Sequence, residues 1–357
     1  MIRSLGPFAV VLSGACIQID SGSDGDDGSG GSGGVATATV SSATVASSSA
    51  SDASSATGTS SSTGVGGAPA SGDQLYALAW DPNAALEHII TIDAGNGAVT
   101  SVGQLPSQYE MFSDCVFDPA SGRIYQSSPP DVVLAIDPAA AALVTATVTS
   151  LPADLIGFFA GGVNGAGEVL GHAWDTGLSR EHIVKLDPVT GTVTSLGTLP
   201  PAHTAFTGAL YDHAADRLYT LSNEGTDVSI LTFEANGSYL GASPLTMGPY
   251  VNLVGATVNG AGEIIGLVWD GTNSLENVVK VDPTSGTITS LDTLPPDHTT
   301  FSIAKGVFHA GSNRIYMLDS SLPAEIFAID ASSGAFLGAT PLVSNGLVNP
   351  ICLQAMP

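Results

Sequence analysis

The chain has 357 residues, of which 33 are acidic and only 8 are Lys or Arg, for a formal net charge of −25. Binding to phosphate needs clustered cations that release counterions, so nucleic acid is excluded as a partner, and an anionic membrane surface is disfavoured for the same reason. Charged residues make up 11% of the chain while the mean hydropathy is +0.29. The surface must therefore be built largely from Gly, Ala, Ser and Thr, and no stretch reaches the roughly 18 to 20 apolar residues that span a bilayer.

The first 16 residues read as a targeting segment. Arg3 is a minimal basic region, Leu5 to Leu12 a short apolar one, and Ser13, Gly14 and Ala15 are small residues ahead of Cys16. This layout resembles a bacterial lipoprotein signal, which implies a lipid on Cys16, export and anchoring in the cell envelope. An ordinary secretory signal cleaved nearby is the alternative. Residues 17–72 read as a tether. Between 21 and 72 there is no aromatic residue, no Lys, no Arg and one proline, Pro69. Such a composition cannot bury enough apolar area to offset its ordering entropy, so disorder is expected, with an r.m.s. span of roughly 40 Å.

Residues 73–357 repeat. Gln74 to Pro106, Glu168 to Pro200 and Glu263 to Pro295 align directly, with Trp80, Trp174 and Trp269 falling 94 and 95 residues apart. Three units of a second type lie between them: Ser113 to Phe158, Thr207 to Leu253 and Ser302 to Pro350. These share Arg123-Ile124-Tyr125, Arg217-Leu218-Tyr219 and Arg314-Ile315-Tyr316. Six units of about 47 residues result. The third predicts four strands, Phe159–Val163, Val169–Trp174, His182–Leu186 and Thr192–Leu199, separated by Gly, Pro, Asn and Asp clusters. Four short strands per unit are the signature of β-propeller blades, so the expected fold is an all-β, six-bladed β-propeller made of three double-blade repeats. The first unit lacks an innermost strand, and Ile351 to Gln354 aligns with the innermost strand at Gly255 to Val258. The C-terminus is therefore expected to complete blade one and remove an open sheet edge.

The turn Asp187-Pro188-Val189-Thr190-Gly191 recurs as Asp282 to Gly286 and, degenerate, as Asp93 to Gly97. With the strand that follows, it resembles the blade turn of bacterial quinoprotein-like and related surface propellers. The resemblance covers residues 73–357 and implies the fold alone. The quinoprotein Trp-docking motif and cofactor-ring residues are not evident, and neither is the paired glycine of kelch blades.

Cys115 lies on the innermost strand of blade two and Cys352 on the proposed closing strand. In an exported protein a disulfide between them is one reading, and two buried free thiols the other. The candidate chemistry sits on loops that strand order brings to one end of the ring. Asp81, Asp175 and Asp270 follow the tryptophans, Glu87, Glu181 and Glu276 stand six residues further on, and Tyr109, His203 and His298 occupy the loop into the next blade. Carboxylates beside imidazoles could hold calcium or another metal, or serve as an acid/base pair. The preferred reading is turn chemistry, because the set recurs threefold and Asp bonds its own backbone in turns. The glutamates are expected at a solvated rim, and Asp118–Arg123 and Asp212–Arg217 as rim ion pairs. The tryptophans are expected to pack between blades.

No G-x-S-x-G, H-E-x-x-H, Walker or Rossmann motif is present. The expected function is that of an exported, lipid-anchored propeller that binds a protein or small ligand at one face. No cofactor is required, and calcium is the one the rim could accommodate. The alternative is an exported lyase or hydrolase using the face near His203 and His298.

Overall fold

A computed structural model describes residues 72–109, 115–128, 131–200, 203, 206–224, 227–296, 306–319, 324–344 and 346–355. Cys16, the low-complexity segment up to residue 71, and His298 lie outside the described residues. The rest is all-β, in six four-stranded antiparallel sheets arranged as a six-bladed propeller.

Strands β1 (Gln74–Asp81), β2 (Leu86–Asp93) and β3 (Val99–Gln104) belong to blade one. Blade two is β4 (Cys115–Asp118), β5 (Arg123–Ser128), β6 (Val132–Asp137) and β7 (Ala142–Val148). Blade three is β8 (Leu155–Val163), β9 (Val169–Asp175), β10 (Arg180–Leu186) and β11 (Val193–Thr198), and blade four is β12 (Phe206–Asp212), β13 (Arg217–Glu224), β14 (Asp227–Glu234) and β15 (Tyr239–Pro244). Blade five is β16 (Tyr250–Val258), β17 (Ile264–Asp270), β18 (Leu275–Val281) and β19 (Ile288–Thr293). Blade six is β20 (Val307–His309), β21 (Arg314–Asp319), β22 (Glu325–Asp330) and β23 (Phe336–Pro341). The last strand, β24 (Val348–Ala355), pairs antiparallel with β1, so blade one is built from both ends of the domain. In blade three the innermost strand begins at Leu155, four residues before the expected Phe159, because Leu155 and Ile156 pair across bulges with Asp175 and Trp174.

Burial follows position in the blade. The third strands β2, β6 and β22 are buried almost throughout, while the outermost β3, β7 and β11 are mostly exposed. A strand covered on both faces needs apolar side chains at odd and even positions, so these strands read as runs rather than alternations. Six separate apolar clusters form, one at each interface between neighbouring blades. Leu170 and Ile183, for example, pack on Leu218 and Leu231 of blade four, while Val169 and Val184 pack on Tyr125 and Val133 of blade two. One blade thus serves two cores through opposite faces of its sheet.

The repeated turn explains why three blades carry a terminal glycine there. Asp187 accepts the Val189 N–H and the Thr190 hydroxyl, and the Gly191 N–H closes on the Asp187 carbonyl at 2.8 Å. Gly97, Gly191 and Gly286 have φ of 71°, 73° and 71°. A Cβ on any of them would stand about 2 Å from a carbonyl oxygen of the preceding blade, that of Pro341, Val148 or Pro244. Only glycine meets both demands, positive φ and backbone approach.

Candidate functional site

The described rim candidates do not converge on one site. Asp81, Asp175 and Asp270 each end the second strand of a blade and cap its turn. Asp175 Oδ1 accepts N–H groups from Gly177 and Leu178, both at 2.8 Å, and Asp81 and Asp270 make the equivalent pairs. The N–H of Leu178 holds Asp175 below the usual carboxylate range, the N–H of Asn83 does so for Asp81, and the Asn273 side chain does so for Asp270.

The glutamates overturn the solvated-rim expectation. Glu87 and Glu276 are 6% and 3% exposed. Each glutamate pairs in register with the tryptophan, Trp80 with Glu87 and Trp269 with Glu276, and its carbonyl takes an N–H from the chain leaving the blade, Leu105 or Leu294. In blade three Glu181 likewise pairs in register with Trp174 and its carbonyl takes the Leu199 N–H. Its carboxylate also pairs with His172, Oε2 to Nδ1 at 2.9 Å, and His172 stacks on Phe159. The three tryptophans are half-buried.

Alternation along the strands separates the Asp from the Glu. Asp175 lies opposite Arg180, and Glu181 is the next residue, so the two carboxylates leave opposite faces of the blade. Among the described residues no group of three or more His, Cys, Asp or Glu is placed to hold a metal ion. Tyr109 and His203 share a turn, each donating its N–H to the proline carbonyl three residues back, and His203 Nδ1 lies 3.2 Å from Ser222 Oγ of blade four. The ion pairs expected at the Asp118 and Asp212 turns are replaced by capping. Asp118 accepts the Ala120 N–H and the Ser121 hydroxyl, and Asp212 accepts the Ala214 and Ala215 N–H groups. His309, which stands where these aspartates do, accepts the Ser312 N–H through Nδ1.

One arrangement has the composition of a hydrolytic triad. His182 Nδ1 is 2.8 Å from Ser195 Oγ, and its Nε2 is 2.9 Å from Asp175 Oδ2. The same set recurs in blade one as Ser101, His88 and Asp81, at 2.7 and 3.7 Å. In blade five Asn277 takes the histidine's place and accepts from Ser290 and Thr293. In blades one and three the set ties strands two, three and four together, and in blade five Asn277 keeps the tie between strands three and four.

The cavity lies elsewhere. The innermost strands of all six blades enclose an axial space of about 280 Å³, bounded further by Pro119, His213 and Ala310. Those three belong to turns joining first and second strands, so the cavity opens at the end opposite the Asp–Glu–His loops. At its base Cys115 and Cys352 form a disulfide with Cα atoms 5.2 Å apart, linking the closing strand to blade two. Gln354 Nε2 donates to the Cys115 carbonyl at 3.2 Å in the same direction.

Phe117 from β4, Tyr211 from β12 and Phe308 from β20 are among its lining residues, and each packs on the apolar core between its own blade and the preceding one. They occupy the same place in blades two, four and six, 94 and 97 residues apart, just before Asp118, Asp212 and His309. Glycine makes room for two of them. A Cβ on Gly162 would lie 2.1 Å from Tyr211 Cβ, and one on Gly260 would lie 3.1 Å from Phe308. The Tyr211 hydroxyl donates to Asp216, its ring meets His213 edge-on at 5.0 Å, and burial with that carboxylate raises its pKa. A second cavity of about 390 Å³ adjoins it between blades three and four, with Tyr211, His213 and Asp216 among its walls. Sequence reasoning missed this set. The signal was present as a repeated aromatic before the turn, but nothing local says that the strand faces an axis.

No protein-family model matches the chain, and no curated protein matches it in sequence. Solved structures share its fold. TolB from Acinetobacter baumannii is similar over 78% of this chain and 66% of its own length, with 16% identity and a TM-score of 0.56. A nidogen/laminin complex structure is similar over 79% and 97% of the two chains, with 11% identity and a TM-score of 0.55. A TolB-type structure from Agrobacterium tumefaciens is similar over 80% and 99%, with 10% identity and a TM-score of 0.50. At these identities the likeness is one of fold.

Proposed function

We propose that the chain is an exported binding module, anchored in the cell envelope through Cys16 and held off the membrane by residues 17–72, which binds its partner at the mouth of the axial cavity. The observation that carries this reading is the axial cavity of about 280 Å³, lined by the innermost strands of all six blades with Phe117, Tyr211 and Phe308 among its walls. The titratable residues of the opposite end are meanwhile engaged in turns and strand ties. Concave, largely apolar walls with a few polar groups are what recognition sites are built from. The domain carries 28 acidic and 7 basic side chains, which favours a cationic partner. One similar structure is that of a nidogen/laminin complex, and the same use of the fold, protein binding, is assigned here to this chain.

Two experiments test the proposal. Replacing Cys16 with Ser should move the protein from the membrane fraction to the soluble one, and retention in the membrane would overturn the anchor. A photo-crosslinking residue at His213, in living cells, should trap one defined partner, while the same residue at exposed Leu178, at the other end, should not. Equal trapping at both, or at Leu178 alone, would overturn the assignment of the face.

A further inference from the structure

We propose that the cleft between blades three and four takes an arginine side chain of the partner protein, with the Asp216 carboxylate as its counter-ion. This rests on the cavity mouth being the binding face and adds the chemistry that the face recognises. The internal repeat singles the cleft out. In the turn between first and second strands, blade two has Phe117, Pro119 and Gly122 where blade six has Phe308, Ala310 and Asn313. At the same three positions blade four alone carries a hydroxyl, an imidazole and a carboxylate, on Tyr211, His213 and Asp216. These three side chains are also brought together. The Tyr211 hydroxyl donates to Asp216 Oδ1, the Tyr211 ring lies edge-on to His213 at 5.0 Å, and all three line the cavity of about 390 Å³. Departures from a repeat that cluster around one open space are what a site grafted onto a scaffold leaves behind.

The two walls leave a defined set of partners for a ligand. Between blades five and six, Asn259 Nδ2 reaches across to the Ala331 carbonyl at 2.9 Å. Its counterpart Asn164 instead keeps Nδ2 on Glu168 of its own turn at 2.9 Å, and the cavity lies beside it. Asp216 is exposed, and with Oδ1 on Tyr211 its Oδ2 is left to accept from a ligand. Burial and the neighbouring carboxylate raise the Tyr211 pKa, so the hydroxyl stays protonated and its oxygen can accept as well. Two acceptors beside a flat imidazole suit a guanidinium, which is planar, donates through five N–H groups and stacks on aromatic rings, whereas an ammonium is a point charge. Neither Lys nor Arg lines this cavity. Neighbouring cations are engaged: Lys185 holds Glu168 at 2.6 Å, and Arg217 bonds Tyr219, which packs between blades four and five rather than with Tyr211. The excess of acidic side chains over the domain opposes an anion, and no group of three metal-ligating side chains stands here among the described residues.

The test titrates the full chain with a blocked glycine–arginine–glycine peptide and with its citrulline and lysine counterparts, by calorimetry. Citrulline keeps the shape of arginine without the charge. The arginine peptide is expected to bind about tenfold more tightly than the citrulline one and about threefold more tightly than the lysine one. Asp216→Asn should remove most of the preference for arginine over citrulline. The turn tolerates that change, because Asn313 holds φ of 53° at the same place in blade six, where Asp216 has 54°. Tyr211→Phe, which restores the residue of blades two and six, should weaken the arginine peptide severalfold, and thermal melts of both variants report whether they fold. No binding of the arginine peptide, equal binding of arginine and citrulline, tighter binding of lysine, or indifference to both variants would each overturn the arginine assignment. Crosslinking from His213 reads contact with a partner of any chemistry, so failure of the arginine assignment and failure of the binding face are distinguishable.

Discussion

The disulfide is the only covalent tie across the ring closure among the described residues, and removing it yields the sharpest stability prediction. Cys115 and Cys352 are separated by 237 residues, so the bond closes nearly the whole propeller into one loop. In the chain-entropy model a loop of that length restricts the unfolded ensemble by about 5.5 kcal/mol at 25 °C. Both half-cystines are buried, at 1% and 5% exposure, in the core between blades one and two. The paired change to Ser also places two hydroxyls there, which adds to the loss. We predict that Cys115→Ser with Cys352→Ser lowers unfolding free energy by about 5 kcal/mol, a large share of the 5–15 kcal/mol typical of folded domains. At roughly 2 °C per kcal/mol for a domain of this size, the melting midpoint should drop by about 10 °C. Denaturant titration followed by circular dichroism, with and without reductant, measures it. Hydrogen exchange should show β24 losing protection first, because Cys352 sits on that strand and its pairing with β1 is interrupted by two register shifts. A loss below about 1 kcal/mol, or earlier opening of another blade, would refute the view that the bond holds the ring shut.

The remaining predictions concern turns, packing and the strand ties. Asp81, Asp175, Asp187, Asp270, Asp282 and Asp330 are all held below the usual carboxylate range by hydrogen bonds within their turns. Their stabilisation is fully present above the unfolded value near pH 4 and is lost as pH falls through the lower folded values. Melting midpoints should therefore fall steeply below about pH 4, and a flat profile down to pH 2 would contradict the capping role. Gly162→Ala forces a Cβ to 2.1 Å from Tyr211 and should destabilise by about 3 kcal/mol, read in the same denaturant assay. Ser179 has φ of 50° in an exposed turn, so Ser179→Gly should stabilise by up to about 1 kcal/mol. Ser195→Ala removes one hydrogen bond to His182 and should cost about 1 kcal/mol or less. Both proteins should leave p-nitrophenyl acetate at its background hydrolysis rate, and turnover abolished by Ser195→Ala would make that set catalytic.

Much of the architecture was legible because each blade carries its own punctuation. Four strands per unit, the Asp-Pro turn with its glycine, and the tryptophan before each capping Asp are local features, repeated often enough to be counted. The site was far less legible. Glu87 looked like a rim residue because it begins a strand beside a polar turn, yet it is buried where its carbonyl takes the N–H of Leu105 from the chain leaving the blade. Asp175 and Glu181 were expected on one rim because their loops share an end of the ring, yet they leave opposite faces of one sheet.

The amino-acid sequence by itself determined the class of fold, the number of blades and the chemistry of the turns, because these depend on contacts within about 47 residues. Only the tertiary structure decided which end of the ring opens and what lines it. Phe117, Tyr211 and Phe308 lie in three different sheets and share no hydrogen bond. They border one cavity only because β24 returns to β1 and closes the six innermost strands around an axis. A ring exists only once its last strand is in place, so the surface around its axis is a property of closure and of no single segment.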